Sequence, residues 1–161
     1  MKFAIYLHKE LIFLKLDCET KESVLQYLTE KLCDYYRLTC KQEILHDIKQ
    51  RENIKSTGLG QGLAIPHGRT ELVNRLYVVY AYSEKGIEWF SEDKQPVHFI
   101  FLIVGPAFLE KEYLGALSDI SRIMIRHDVK DAVRNAKTPE DIISVLKQSG
   151  IREGKRFSDF D

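Results

Sequence analysis

The run VHFIFLIVG, residues 97–105, carries a single polar side chain, His98. A strand with one face in water alternates apolar and polar residues; this one does not, so it reads as a central strand buried on both faces. The chain must then supply apolar helical faces for two sides of one sheet. The segments around it can do so. LIFLKLD, 11–17, is short, apolar and partly alternating, and is expected to be a strand. In 18–38, Val24, Leu25, Leu28 and Leu32 recur at helical spacing. Thr20 is placed to cap that helix, and Glu19 and Glu22 sit near its positive end. A second helix is expected over 41–53 on Ile44, Leu45 and Ile48, and RLYVVYAYS, 75–83, reads as a strand. After 97–105 come helical patterns over 111–126 and 129–136. A last helix, 138–148, has Thr138 as cap and Pro139 at its first position.

The order strand, helix, helix, strands, helices is not a strict alternation. It predicts an α+β fold, a three-layer α/β/α arrangement with a mixed β-sheet flanked by helices on both faces, rather than a doubly wound parallel sheet. The 161 residues, 44% of them hydrophobic, suit one domain over 1–148. Residues 149–161 show no periodicity and are expected to be a loose tail.

Twenty-four basic side chains balance twenty-four acidic ones, so there is no general attraction to nucleic acid or to an anionic membrane. Cys18, Cys33 and Cys40 form no CxxC pair and read as reduced, packed thiols. No stretch has the length and apolarity of a membrane span, and charges interrupt the N-terminus where a secretion signal would need a clean apolar core. The expected location is the cytoplasm.

The chemistry is concentrated in STGLGQGLAIPHGRT, residues 56–70. Pro66 fixes its own φ and biases Ile65 towards an extended backbone, so His67 is stiffly presented. Arg51 and Arg69 offer permanently charged forks suited to phosphate oxygens. A neutral imidazole is a nucleophile near pH 7, and a phosphoryl group on it would be stabilised by an arginine. The same residue types also fit a hydrogen-bonded structural histidine. The glycines lack the GxxxxGK[ST] spacing, and neither HExxH nor a zinc-finger spacing occurs. Of the other histidines, His46 is expected on a polar helix face and His98 as a satisfied core histidine.

The run REN-IKSTGLGQGLAIPHGR, followed by KQPVHFIFLIVGP, resembles the enzyme IIA domains of the bacterial phosphoenolpyruvate-dependent phosphotransferase system. The resemblance is to the mannitol/fructose/nitrogen-regulatory class, most of all the nitrogen-regulatory type. Arg51, Glu52, Ser56, Thr57, Gly58, Leu59, Gly60, Gly62, Leu63, Ala64, Ile65, Pro66 and His67 meet the pattern, and the likeness extends over roughly residues 10–148. It implies that His67 accepts a phosphoryl group, through Nε2, from an HPr-like phosphocarrier protein. The group would pass to an enzyme IIB partner, or stay as a signal to a regulatory target protein. It implies Arg51 as the phosphoryl-stabilising cation. Thr57 would hydrogen-bond the imidazole or a phosphoryl oxygen, or else stabilise the loop. Tyr113 stands where many members carry a second histidine and brings no imidazolium charge. Glu110 and Glu112 nearby are expected to be exposed. Leu59, Leu63 and Ile65 are candidates for an apolar partner face, with core packing the expectation for Leu63 and Ile65. No metal or cofactor is needed for transfer between two nitrogens.

Three further readings remain beside a regulatory carrier. One is a sugar-specific, fructose- or mannitol-type transport component. Another is a binding module on the same fold whose histidine is never phosphorylated. The third, a hydrolase with His67 as base, lacks a recognisable nucleophile elbow.

Overall fold

The computed structural model describes residues 3–158. Two 3-10 turns, Phe3–Tyr6 and Lys9–Leu11, lead into β1 (Ile12–Phe13), followed by α1 (Lys21–Tyr36) and α2 (Lys41–Ile54). Three short strands come next: β2 (Gly58–Gly60), β3 (Leu63–Ala64) and β4 (His67–Arg69). The long hairpin β5 (Tyr77–Ile87) and β6 (Val97–Gly105) precedes α3 (Glu110–Met124), α4 (His127–Arg134) and α5 (Pro139–Ser158). Among the described residues, no helix is long and apolar enough to cross a membrane.

The sheet is mixed, in the order β1-β5-β6-β3-β2. β5 and β6 are antiparallel, while β1 pairs parallel with β5, and β3 and β4 pair parallel with β6. β6 is central, as its near-continuous apolarity requires. Phe99, Phe101 and Ile103 point into a core shared with α3, α4, α5 and the N-terminal turns. Ile100, Leu102 and Val104 point into a second core built with α1 and α2. The alternation of one strand thus fills two layers.

The helix ends follow local chemistry. Thr20 and Ser23 form a reciprocal capping box at the start of α1, with Ser23 N donating to Thr20 Oγ1 at 3.1 Å. Thr138 Oγ1 accepts from Asp141 N at 3.2 Å at the start of α5. His46 is exposed, and half-buried His98 is satisfied through Nδ1 by Ser83 O at 2.8 Å.

Three expectations need correction. The strand expected over 11–17 contracts to Ile12–Phe13, because the chain bends away from β5 after Phe13 and touches it again only at single points, the bond from Leu16 N to Tyr82 O among them. The glycine-rich segment is not a plain loop but carries β2, β3 and β4, since its backbone groups find partners on β6 and on one another. Finally, α5 continues through Ser158, so the segment expected to be loose is helical over most of its length, and no proline follows Pro139 to stop it. Residues 159–161 of that tail lie outside the described residues.

Candidate functional site

The site is set by how the glycine-rich segment lies along β6. β3 pairs with its first half, Leu63 opposite Phe99, and β4 with its second half, His67 opposite Ile103. Between them Pro66 has no N–H to give, but its carbonyl accepts from Ile103 N at 3.0 Å. The backbone on both sides of His67 is therefore fixed to the central strand. The turn joining β2 to β3 needs positive φ at Gln61 (56°) and Gly62 (81°), a geometry that glycine adopts without cost. Gly68 lets β4 press against α2: a Cβ there would stand 2.8 Å from Ile48 Cγ1. This close approach brings the end of α2, with Arg51, up to His67.

The His67 imidazole is partly buried, and its Nδ1 lies 2.7 Å from Ile65 O. A carbonyl only accepts, so Nδ1 carries the proton and Nε2 keeps a lone pair. Burial pushes the imidazole below its ordinary pKa, and the charges of Arg51 and Arg69 push the same way; the Ile65 carbonyl and Glu52 oppose them. The group is thus neutral near pH 7.

Arg51 is half-buried in the last turn of α2, where Nη1 donates to Lys55 O at 2.8 Å. Arg69 is exposed and pairs with Glu110 at 3.0 Å. Both Glu110 and Glu112 are exposed, as expected. Tyr113, on α3, is buried with its ring centroid 5.8 Å from that of His67 and 5.6 Å from the Arg69 guanidinium carbon. Burial pushes the Tyr113 hydroxyl far up, so it stays neutral.

Two clefts meet at the imidazole. The smaller, about 390 Å³, is lined by Arg51, His67, Arg69 and Tyr113 among others. The larger, about 920 Å³, runs from His67 and Arg51 along the β2 hairpin to Phe90 and Asp93. Leu63 and Ile65 are core residues, whereas Leu59 is 56% exposed. Ile54, Phe90 and Leu114 are exposed around the same clefts.

Thr57 makes the bonds of the second of its two expected roles, the stabilising of the loop. Its hydroxyl gives its only proton to Glu52 Oε2 at 2.5 Å and accepts from Trp89 Nε1 at 3.0 Å. It is a buried anchor for the segment. Sequence reasoning also passed over the groups behind it. Glu52 is buried and ion-paired with Lys21 at 2.5 Å. A signal for both existed. Glu52 continues the stripe Ile44, Ile48 on α2, and Lys21 begins the stripe Leu25, Leu28 on α1. A charge on each buried stripe is the pattern of an interhelical ion pair.

The family described as "Phosphoenolpyruvate-dependent sugar phosphotransferase system, EIIA 2" matches residues 5–149. The chain belongs to this EIIA family. Its relatives fall on both sides of the family. The chain is 31% identical over 139 residues to the fructose-specific EIIA component of Haloferax volcanii, covering 86% of this chain and 90% of that one. It is equally 31% identical over 139 residues to the nitrogen regulatory protein of Bradyrhizobium diazoefficiens, covering 85% and 89%. With the fructose-specific EIIABC component of Bacillus subtilis it shares 30% identity and spans 23% of that protein's length. The fold matches the crystal structure of the nitrogen regulatory protein IIA-Ntr from Neisseria meningitidis, with a TM-score of 0.83, 24% identity and coverage of 89% of this chain and 97% of that one. This EIIA is thus a phosphotransferase component of the phosphoryl-carrier class, and the three-layer mixed-sheet fold is the family's.

Proposed function

We propose that His67 is the phosphoryl acceptor of this EIIA, that Nε2 is the reacting atom, and that the donor is an HPr-like phosphocarrier protein. The observation that carries the reading is the bond from Nδ1–H to Ile65 O. It leaves Nε2 unprotonated and aims the ring from a rigid strand. In the step, a bond forms between Nε2 and phosphorus as the donor's nitrogen–phosphorus bond breaks. The electron pair of the broken bond stays on the donor nitrogen, and no proton has to leave Nε2. The phosphorylated ring keeps its Nδ1 proton, and the Ile65 carbonyl meets the resulting positive ring charge. Arg51 and Arg69 supply cations for the phosphoryl oxygens. Little chemistry is asked of the protein beyond alignment and charge.

Ile54, Leu59, Phe90 and Leu114 give the rim of the clefts an apolar surface for brief docking of the donor and of an acceptor. The acceptor is an enzyme IIB or, in the nitrogen-regulatory reading that we favour, a target protein that reads the phosphorylation state in the cytoplasm. The parallel identity to a fructose-specific EIIA supports sugar transport as the second reading.

Intact-protein mass spectrometry after incubation with phosphoenolpyruvate, enzyme I and the phosphocarrier tests the proposal. The expected result is the gain of one acid-labile phosphoryl group that His67→Ala lacks. No gain from a demonstrably charged donor overturns it in favour of a binding module. Adding a fructose-type enzyme IIB to the labelled protein then separates the readings. Rapid loss of label means transport, and retention means regulation.

A further inference from the structure

Glu52 does not touch His67, yet a continuous set of hydrogen bonds joins them. Glu52 Oε1 accepts from Thr57 N at 2.9 Å and from Lys21 Nζ at 2.5 Å, and its Oε2 accepts from Thr57 Oγ1 at 2.5 Å. Thr57 O accepts from Ile65 N at 3.1 Å, and Ile65 O accepts from His67 Nδ1 at 2.7 Å. Trp89 closes the arrangement: its indole donates to Thr57 Oγ1, and its carbonyl accepts from Lys21 Nζ at 3.2 Å and from Ser56 Oγ at 2.7 Å.

We infer that Glu52, paired with Lys21, is a positioning residue that sets the tautomer and orientation of the His67 imidazole through Thr57 and Ile65. This rests on His67 being the phosphoryl acceptor. The physical argument is one of constraint. The direction of the Ile65 carbonyl is fixed by what holds the chain before and after it. After it, Pro66 O is tied to β6. Before it, Ile65 N is tied to Thr57, whose own place depends on two bonds to one carboxylate. A buried carboxylate that loses its charge or its partners is free to release Thr57, and the Ile65 carbonyl then loses its aim. The imidazole would populate the form protonated at Nε2, whose lone pair on Nδ1 points inward and cannot attack.

Glu52 and Trp89 act from behind the site, while Thr57 is among the residues lining the larger cleft. Glu52 and Thr57 are buried and Trp89 is completely so, and none of them joins the exposed apolar rim. Docking of the donor should therefore be untouched by changes here, which separates positioning from partner recognition.

The test uses the full chain. Ring nitrogen-15 chemical shifts report the His67 tautomer without any phosphorylation. Steady-state transfer from the phosphocarrier reports KM and kcat separately. Glu52→Gln is expected to keep the fold by circular dichroism, to bring in the Nε2–H tautomer, and to lower kcat by about tenfold or more at unchanged KM. Thr57→Val should do the same and Thr57→Ser should restore both readouts. A folded Glu52→Gln or Thr57→Val protein with the wild-type tautomer and kcat overturns the inference. Should Glu52→Gln unfold, the Thr57 pair decides alone. A wild-type protein that shows the Nδ1–H tautomer but takes no phosphoryl group refutes the acceptor role itself, an outcome distinct from failure of the positioning role.

Discussion

The Tyr113 ring meets the His67 imidazole nearly edge-on, with the planes at 75° and the centroids 5.8 Å apart. Such a contact is worth roughly 0.5–1.5 kcal/mol beyond the area it buries. Tyr113 is in turn covered by the Arg69 guanidinium. Tyr113, which by resemblance stands at the position of a second histidine, supplies a neutral wall, and the positive charge around the clefts comes from Arg51, Arg69 and Lys55. Tyr113→His should leave phosphorylation at His67 intact or speed it, because an imidazolium adds charge. It should cost about 1–3 kcal/mol of stability, since a buried aromatic ring is lost. Initial rates of phosphorylation and a urea titration measure the two effects. A strong loss of rate would assign the tyrosine hydroxyl a role of its own.

Arg51→Ala should slow phosphoryl acceptance more than it weakens folding, because the side chain is only half-buried and holds one carbonyl of the helix end. The same change should raise the His67 titration midpoint, since the Arg51 charge is one of the forces that lower it. Proton NMR of the imidazole and stopped transfer assays check both. An unmoved midpoint with unchanged kinetics would take Arg51 out of the site.

The depressed pKa of His67 has a defined consequence for stability. In the unfolded chain the imidazole takes its proton near the ordinary value of 6.5, but in the folded protein only at lower pH. The unfolded state then binds more protons between the two values. The contribution of this group is fully present above 6.5 and is lost as pH falls through the folded value. The unfolding free energy of the wild type, measured against that of His67→Ala, should therefore decline as the pH falls below 6.5. A difference that stays flat or rises over that range would contradict the depressed pKa.

Lys21→Met should destabilise the protein by about 3 kcal/mol, because it leaves the Glu52 carboxylate buried without its counter-charge. Adding Glu52→Gln to that variant should recover part of the loss, since the neutral amide costs less to bury. Denaturant unfolding of the two variants gives the answer. An additive second loss would show that Glu52 is stabilised mainly by the Thr57 bonds rather than by Lys21.

Much of this protein was legible in the sequence by itself. Residues 97–105 required cover on both faces, and the helical spacings of Val24, Leu25 and Leu28 and of Ile44 and Ile48 supplied one of the two layers. The caps at Thr20 and Thr138 followed from local chemistry alone. The run ending in Ile65, Pro66 and His67 was long enough to carry the family. These features depend on period, side-chain type and short-range geometry, all of which the order of residues fixes.

Tertiary structure decided what depends on distant segments meeting. Nothing local shows that β3 and β4 lie along β6, because their partners are some thirty-five residues further on. The contraction of the first strand to Ile12–Phe13 likewise reflects where β5 runs. The proton of Thr57 goes to Glu52 rather than towards His67, because α1 and α2 bring Lys21 and Glu52 together beneath it. Which nitrogen of His67 holds its proton is settled by a carbonyl two residues away, but only because β6 and Thr57 hold that carbonyl in place. A hydrogen bond needs direction as well as proximity, and here direction comes from the packed sheet and helices.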